Sequence, residues 1–312
     1  MRSTLSGFGQ GLMKLGRGRG DVVLLHADMA GSEIVTPFAS LFPERTVNCG
    51  ASEQDMVTTA AGLALEGKKP VAIAPSAFLT ARSFDQVRTC LAIPDLGVVL
   101  VGTHSGLSAG EDGAVHQMNQ DAALMRSLPG MSVLVPSDFD SSFAMAGLAI
   151  GHPDPVYVRL GRDEVPDTGP FDEAEMRIGG GRLLLVGDGV TLCACGIMVH
   201  EALKAARILS QQGINAEVID CFCLKPLPSR LILSSLRRTG CCVVAEEHNV
   251  IGGLGEAIAA LSASENPVPV KSVAVSDRYG QSGTPLELQE YYGLTFREIV
   301  GESAQVWSMR RR

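Results

Sequence analysis

The sequence predicts an α/β protein built as two consecutive three-layer domains, each with a mainly parallel sheet. Three observations point that way. Short runs dominated by Val, Leu and Ile, such as 21–26 (DVVLLH) and 97–101 (GVVLV), alternate with longer segments of helical period. Continuous apolar runs suit strands covered on both faces, and their alternation with helices suits parallel connection. The chain has 312 residues, enough for two cores. Between the two halves, residues 163–180 (DEVPDTGPFDEAEMRIGG) cluster acidic residues, Pro and Gly without an apolar period, which marks a connection. The expected division is residues 1–165, a linker over 166–180, and residues 181–312.

Taken in order, residues 5–16 form a helix and 21–26 a strand. The strand ends in the polar loop 27–32, at the place where open α/β sheets build sites. A strand ending at Val47 turns at Gly50 and Ser52 into a long apolar helix from Met56 onward. Residues 70–74 are a strand. Residues 79–91 are a helix, with Phe84, Val87, Arg88 and Leu91 at helical spacing. Strand 97–101 is followed by the long glycine-rich loop 102–116. Helix 121–128 closes at Pro129-Gly130, strand 131–135 stops at Pro136, and helix 141–150 leads to strand 156–160. The second domain reads as strands 183–186 and 190–195, helix 197–212 ended by Gly213, strand 216–220, helix 227–237 and strand 241–245. A helix opened by Gly252-Gly253-Leu254-Gly255 runs to Ala263, strand 268–275 follows, and the last helix begins over 285–291.

Composition narrows the function. Hydrophobic residues make up 46%, ample for two cores, and 35 glycines suit close helix–sheet packing. A net charge of −8, with only short basic clusters at 17–19 and 310–312, argues against a nucleic-acid binder. No apolar run is long enough to span a membrane and no signal pattern opens the chain, so a cytoplasmic protein is expected. The cysteines are adjacent, in C-x-C pairs or isolated, which suits buried thiols in a reducing compartment better than zinc knuckles.

Chemistry concentrates in a few places. Glu53, between a turn and an apolar helix, reads either as a first-turn acid beside a Ser52 cap or as a carboxyl whose burial serves catalysis. The loop 103–116 (THSGLSAGEDGAVH) holds two histidines and two carboxylates. That combination can shuttle protons and grip hydroxyls, and it lacks helix-spaced metal ligands. Arg159 and Arg162 stand at the end of the strand 156–160, and either could offer a fork to phosphate. Gly187-Asp188-Gly189, with Asn215 beyond, mimics a metal–diphosphate motif, but a strand follows at once and a strand–turn–strand reading is better. Gly252–Gly255 looks like an anion cradle, yet it has neither G-x-G-x-x-G nor a P-loop lysine. Tight packing is the expected reason for these glycines.

Together these residues resemble the C-terminal half of transketolase, the pyrimidine-binding domain followed by the C-terminal domain. The resemblance is carried by His26-Ala27-Asp28, Ala51-Ser52-Glu53-Gln54, Phe78-Leu79, the loop 103–116, Leu128-Pro129, Val135-Pro136 and Val158-Arg159-Leu160-Gly161-Arg162. It continues through Lys225-Pro226-Leu227, Glu246-Glu247-His248, Gly252-Gly253-Leu254-Gly255 and Ser282-Gly283. The family's N-terminal domain, which carries the Gly-Asp-Gly…Asn motif for diphosphate and Mg2+, is missing, so the chain looks like the second subunit of a split transketolase. The resemblance implies thiamine diphosphate as cofactor, Mg2+ held by an N-terminal partner subunit, a heterotetramer, and sugar phosphates as substrates.

The resemblance also implies residue roles. Glu53 would hydrogen-bond the aminopyrimidine ring, with Phe78 against its face, Asp28 lining the pocket and Arg82 close by. His104 and His116 would contact substrate oxygens as catalytic groups, and Asp112 a substrate hydroxyl. Arg162 and Ser32 would hold the sugar phosphate, together with Arg2. Val115 departs from the family's threonine, and Cys49 and Ser52 are unusual neighbours for the glutamate. Alternatives are a 1-deoxyxylulose-5-phosphate synthase-like subunit, a 2-oxo acid dehydrogenase beta-like subunit, or a scaffold subunit without chemistry.

Overall fold

The computed structural model describes residues 1–310; Arg311 and Arg312 of the C-terminal basic run lie outside them. The first half runs β1 (Arg2–Ser3), α1 (Thr4–Gly18), β2 (Val22–His26), α2 (Val35–Leu41), β3 (Thr46–Asn48), α3 (Glu53–Leu65), β4 (Lys69–Pro75) and α4 (Phe84–Gln86). It continues with β5 (Val99–Thr103), α5 (Asp121–Ser127), β6 (Ser132–Leu134), α6 (Phe139–Gly151), β7 (Val156–Arg159) and β8 (Glu164–Val165). The second half runs β9 (Arg182–Leu185), β10 (Val190–Ala194), α7 (Met198–Gln211), β11 (Ala216–Asp220), β12 (Cys223–Lys225) and α8 (Ser229–Thr239). It ends with β13 (Cys242–Asn249), α9 (Leu254–Glu265), β14 (Val270–Val275), α10 (Pro285–Tyr291) and α11 (Phe296–Met309).

Two α/β domains with mainly parallel sheets result. The first sheet has the order β12-β6-β7-β5-β4-β2-β3 and the second β14-β13-β10-β11-β9. Neighbours are parallel except β12–β6 and β11–β9. The central strands β2, β5, β7, β10 and β11 are buried along their whole length. Their mainly apolar character is therefore the two-sided burial that a helix-covered parallel sheet requires.

Four local departures from the sequence reading have physical causes. The expected helix 79–91 is instead two wide π-type turns, Ala77–Arg82 and Val87–Ala92, flanking α4. Hydroxyls bond back to carbonyls four residues earlier: Thr80 to Ser76 at 2.7 Å, Ser83 to Leu79 at 2.5 Å and Thr89 to Asp85 at 2.6 Å. Each competes with the α-helical ladder and opens it. Strands β9 and β10 do follow one another through Gly187-Asp188-Gly189, but they are not paired, because β11 lies between them. The last helix begun at Pro285 stops, and Gly293 at φ 69° and a Thr295 cap start a separate helix, α11, whose Ile299, Ser303 and Val306 are buried. Three-residue β12, unread in the sequence, leaves the second half and pairs with β6, so the first sheet is completed from the second half.

The linker is fastened at both ends. β8 pairs with β1, Thr168 donates its N–H to Asp138 at 2.9 Å, and buried Arg182 donates to Thr168 at 3.0 Å and to the Pro170 carbonyl at 3.2 Å. Arg182 also faces Asp220 at 3.6 Å, and Ser137 donates to Asp220 at 2.7 Å, so one buried cluster joins linker and both sheets. Six cysteines are buried and Cys49 and Cys90 are half-buried, all as free thiols.

Burial pushes the Asp220 carboxyl up to about 7, against the opposing pull of Ser137 and Arg182. A carboxyl raised in the folded state favours folding most when protonated, so its contribution is full below 3.8 and lost as pH rises through about 7. The thermal midpoint of the wild-type chain is therefore expected to fall relative to that of Asp220→Asn as pH rises through this window. A pH-independent difference between the two would contradict the assignment.

Candidate active site

The first sheet presents the C-terminal ends of β2, β4, β5 and β7 along one edge, and the candidate residues gather there, as expected for an open parallel sheet. Asp28 follows β2 and His104 follows β5. Both adopt positive φ, 51° and 54°, a conformation that non-glycine residues rarely hold unless the surroundings fix it. At Asp28 the fixing is visible. Its N–H donates to the Asn48 side chain at 3.1 Å, and the Met29 N–H donates to His26 Nδ1 at 3.0 Å. A cavity of about 410 Å³ opens here, lined by Asp28, Ser32, Glu33, Thr103, His104 and Arg162.

The loop after β5 is held at its base and exposed at its polar tip. Ser105 donates its N–H to the Leu160 carbonyl at 3.1 Å, and Gly106 and Met118 exchange backbone hydrogen bonds at 2.8 and 2.9 Å. Asp112 and His116 are exposed. His104 Nδ1 bonds Thr103 Oγ1 at 2.9 Å. Burial first, then the Arg162 charge, lowers the His104 pKa, with Asp112 opposing and His116 adding to the fall. That pattern brings His104, Arg162, Asp112 and His116 into one electrostatic neighbourhood, with His104 kept neutral.

Glu53 is the first residue of α3, yet Ser52 makes no side-chain cap. The carboxyl is only 2% exposed and meets Arg82 Nη1 at 2.8 Å. Arg82 comes from the π-type turn, and its guanidinium lies over the Phe78 ring at 4.4 Å. Phe78 also meets the His116 ring edge-on at 5.3 Å. The structure thus brings Glu53, Arg82, Phe78 and His116 into one line from α3 to the loop tip.

Family models match two segments of the chain: transketolase, pyrimidine binding domain, over residues 1–168, and transketolase, C-terminal domain, over residues 179–299. The chain belongs to the transketolase family. An apulose-4-phosphate transketolase subunit of Phocaeicola vulgatus is 38% identical over 283 residues, which cover 91% of this chain and 90% of that protein. The 6-deoxy-6-sulfo-D-fructose transketolase subunit SqwH of a Clostridium species is 38% identical over 285 residues, 91% of this chain and 88% of that one. A solved structure described as a split gene transketolase, inactive beta4 tetramer, superposes with a TM-score of 0.92 at 41% identity and covers 100% of both chains. The chain is thus a subunit of a split transketolase, a transferase, and its family implies thiamine diphosphate as cofactor. The synthase-like and dehydrogenase-like alternatives are not favoured.

Within this transketolase chain the two strand-end arginines separate. Arg162 is exposed and lines the cavity. Arg159 is buried. It donates to Asp121 at 2.8 Å, to the Glu247 carbonyl at 2.8 Å and to the Met118 carbonyl at 3.4 Å. Arg2 is set apart from the cavity lining: it ion-pairs Asp140 at 3.2 Å and Asp167 at 3.0 Å and stacks on Phe139. The Gly252–Gly255 turn is no empty cradle. Glu246 already accepts from the Leu254 and Gly255 N–H groups at 2.7 and 2.8 Å, and a Cβ at Gly253 would overlap that carboxylate. Gly187-Asp188-Gly189 and Asn215 lie at the N-terminal ends of β10 and β11, the edge opposite to the one where parallel sheets bind ligands.

The buried acids Asp121, Glu246 and Glu247 carry no role in the sequence reading. The signal was present: two adjacent carboxylates in one strand must point to opposite faces, and each then needs a partner when buried. Arg159→Leu is expected to destabilise the chain by about 3–5 kcal/mol, because Asp121 would stay buried without its cation. Arg162→Leu should change stability by no more than about 0.5 kcal/mol. Urea denaturation of the two variants measures the difference.

Proposed function

We propose that this chain supplies the pyrimidine half of a thiamine diphosphate site and the substrate loop of a two-chain transketolase, which moves a two-carbon ketol unit from a ketose phosphate to an aldose or aldose phosphate. The observation that carries the reading is the buried Glu53 carboxylate joined through Arg82 to the Phe78 ring, which in turn meets His116 of the loop that also carries His104. An aminopyrimidine is flat and carries N–H donors, so it needs a carboxylate acceptor and a ring face. Arg82, also flat and N–H-bearing, uses both in this structure. The residues present therefore fit the group.

When bound, thiamine diphosphate supplies the electron sink for the two-carbon unit. The chain's own residues do the rest. Glu53 accepts a hydrogen bond from the pyrimidine and biases its protonation state. Arg82, nearly half exposed, turns toward solvent or the rim of the ring. Asp28, in the lining of the His104 cavity, would border the cofactor from the end of β2. His104, neutral and anchored at Nδ1, offers Nε2 to a substrate oxygen, and His116 faces it from the loop tip. Asp112 accepts from a substrate hydroxyl. Arg162, with Ser32, grips the phosphate end. Arg2, occupied by two carboxylates, has no part in the proposal.

The diphosphate and Mg2+ belong to an N-terminal partner subunit carrying the Gly-Asp-Gly…Asn motif, in a heterotetramer of two chains of each kind. The relatives named as transketolase subunits, and the inactive beta4 tetramer of the structural neighbour, support a chain that needs such a partner. No helix of the described residues is long and apolar enough to cross a membrane. Charged sugar phosphates as substrates support a cytoplasmic enzyme.

Reconstituted with its partner, the Glu53→Gln complex is expected to lose ketol transfer by about a hundredfold or more, with the assembly intact by size-exclusion chromatography. Full activity of that variant would overturn the catalytic role. By calorimetry, the chain alone should not bind thiamine diphosphate with Mg2+ below about 1 mM, because the charged diphosphate carries most of the affinity. Tight binding by the isolated chain would refute the shared site.

A further inference from the structure

The substrate loop is docked on the second domain as well as the first. Glu247, on β13 and buried, crosses the domain boundary, and its Oε1 accepts the Leu107 N–H at 2.9 Å. The Leu107 side chain packs into the second domain's core with Val190, Leu192, Ala245 and Leu288. Gly106, at φ 67°, lies so close to the Glu247 carboxyl that a Cβ there would overlap it. A second tether runs through the backbone. Arg159 donates to the Glu247 carbonyl at 2.8 Å and to the Met118 carbonyl at 3.4 Å, and Met118 pairs with Gly106. Gln117 adds a bond to the Gln281 carbonyl at 2.8 Å. The tethered dipeptide Gly106-Leu107 sits between His104 and the Gly110–Asp112 turn, so its height fixes how these groups face one another.

We propose that Glu247 is a positioning residue: from the second domain it sets the substrate loop that carries His104, Asp112 and His116. What that loop binds rests on the transketolase reading; the tether itself does not. Charged neighbours are Arg159 on β7, Asp163 just beyond it, and Asp121 on α5. Burial raises the Glu247 carboxyl to about 7, and Arg159 and the Leu107 N–H oppose that rise. Glutamine at this position keeps an acceptor for the N–H, aspartate withdraws it by one methylene, and alanine removes it.

Hydrogen–deuterium exchange on the full chain tests this. In Glu247→Ala, exchange in a peptide spanning residues 103–116 should quicken about tenfold, the loss of roughly one hydrogen bond's protection. Glu247→Asp should follow the same direction, Glu247→Gln should stay within about twofold of wild type, and peptides from β10 should not change. Wild-type exchange in both the Ala and Asp variants overturns the proposal, as does quickening spread equally to β10. If Glu247→Ala does not fold, the Asp variant decides alone. In the reconstituted complex the Asp variant should raise KM for the ketose phosphate about tenfold with kcat within about threefold, and Glu247→Gln should restore KM. A wild-type complex without ketol transfer, alongside the altered loop exchange, would refute the transketolase reading and leave the tether standing. An active complex with unaltered exchange would do the reverse.

Discussion

The buried guanidinium of Arg159 is the constraint from which the arrangement follows. A charge at the end of β7, out of reach of water, can persist only if acceptors surround it. Asp121 on α5, the Met118 carbonyl at the end of the loop after β5 and the Glu247 carbonyl on β13 do so. Asp121 in turn accepts from Tyr157 at 2.7 Å, the Tyr157 oxygen also lies in hydrogen-bond contact with Ser76 at 3.1 Å, and Ser76 meets Ser105 in the loop. Strand end, helix start, loop and second domain thus share one polar network, and none can shift alone without orphaning a buried group.

The second domain is therefore more than an assembly platform. It completes the first sheet with β12, fastens the linker through Arg182 and Asp220, and presses Glu247 and the Leu107 pocket against the loop. The site edge of the first domain is correspondingly rigid below and open above. Asp112, His116, Arg162 and the outer half of Arg82 are the exposed groups of that edge. Glu53 is the exception, buried and paired, and its partner Arg82 is nearly half exposed.

Much of the architecture was legible because it is encoded locally. Apolar runs buried on both sides, Gly213 at a helix end, and the acidic break at 163–180 each act over a few residues, and the strand and helix order follows from them. Elements whose cause is distant or small were not legible. Strand β12 is three residues long and exists because β6 offers an edge. The π-type turns depend on three hydroxyls that an apolar period does not register. The pairing of β9 with β11 rather than β10 depends on crossover, not on the turn between them.

The same division runs through the site. The sequence by itself determined that this is a two-domain α/β chain of transketolase type, because that identity resides in residue types at ordered intervals. It could name Glu53, Phe78, His104, Asp112, His116 and Arg162 as candidates. Only the tertiary structure decided between alternatives that have the same spelling. Of two strand-end arginines it buried Arg159 in a network and left Arg162 at the cavity. Of two glycine-rich turns it filled one with the Glu246 carboxylate and set the other at the wrong edge of its sheet. It gave Arg2 to Asp140 and Asp167, and it placed Glu247 beneath the loop. The physical reason is that a polar group's role is fixed by what satisfies it, and that partner comes from elsewhere in the chain.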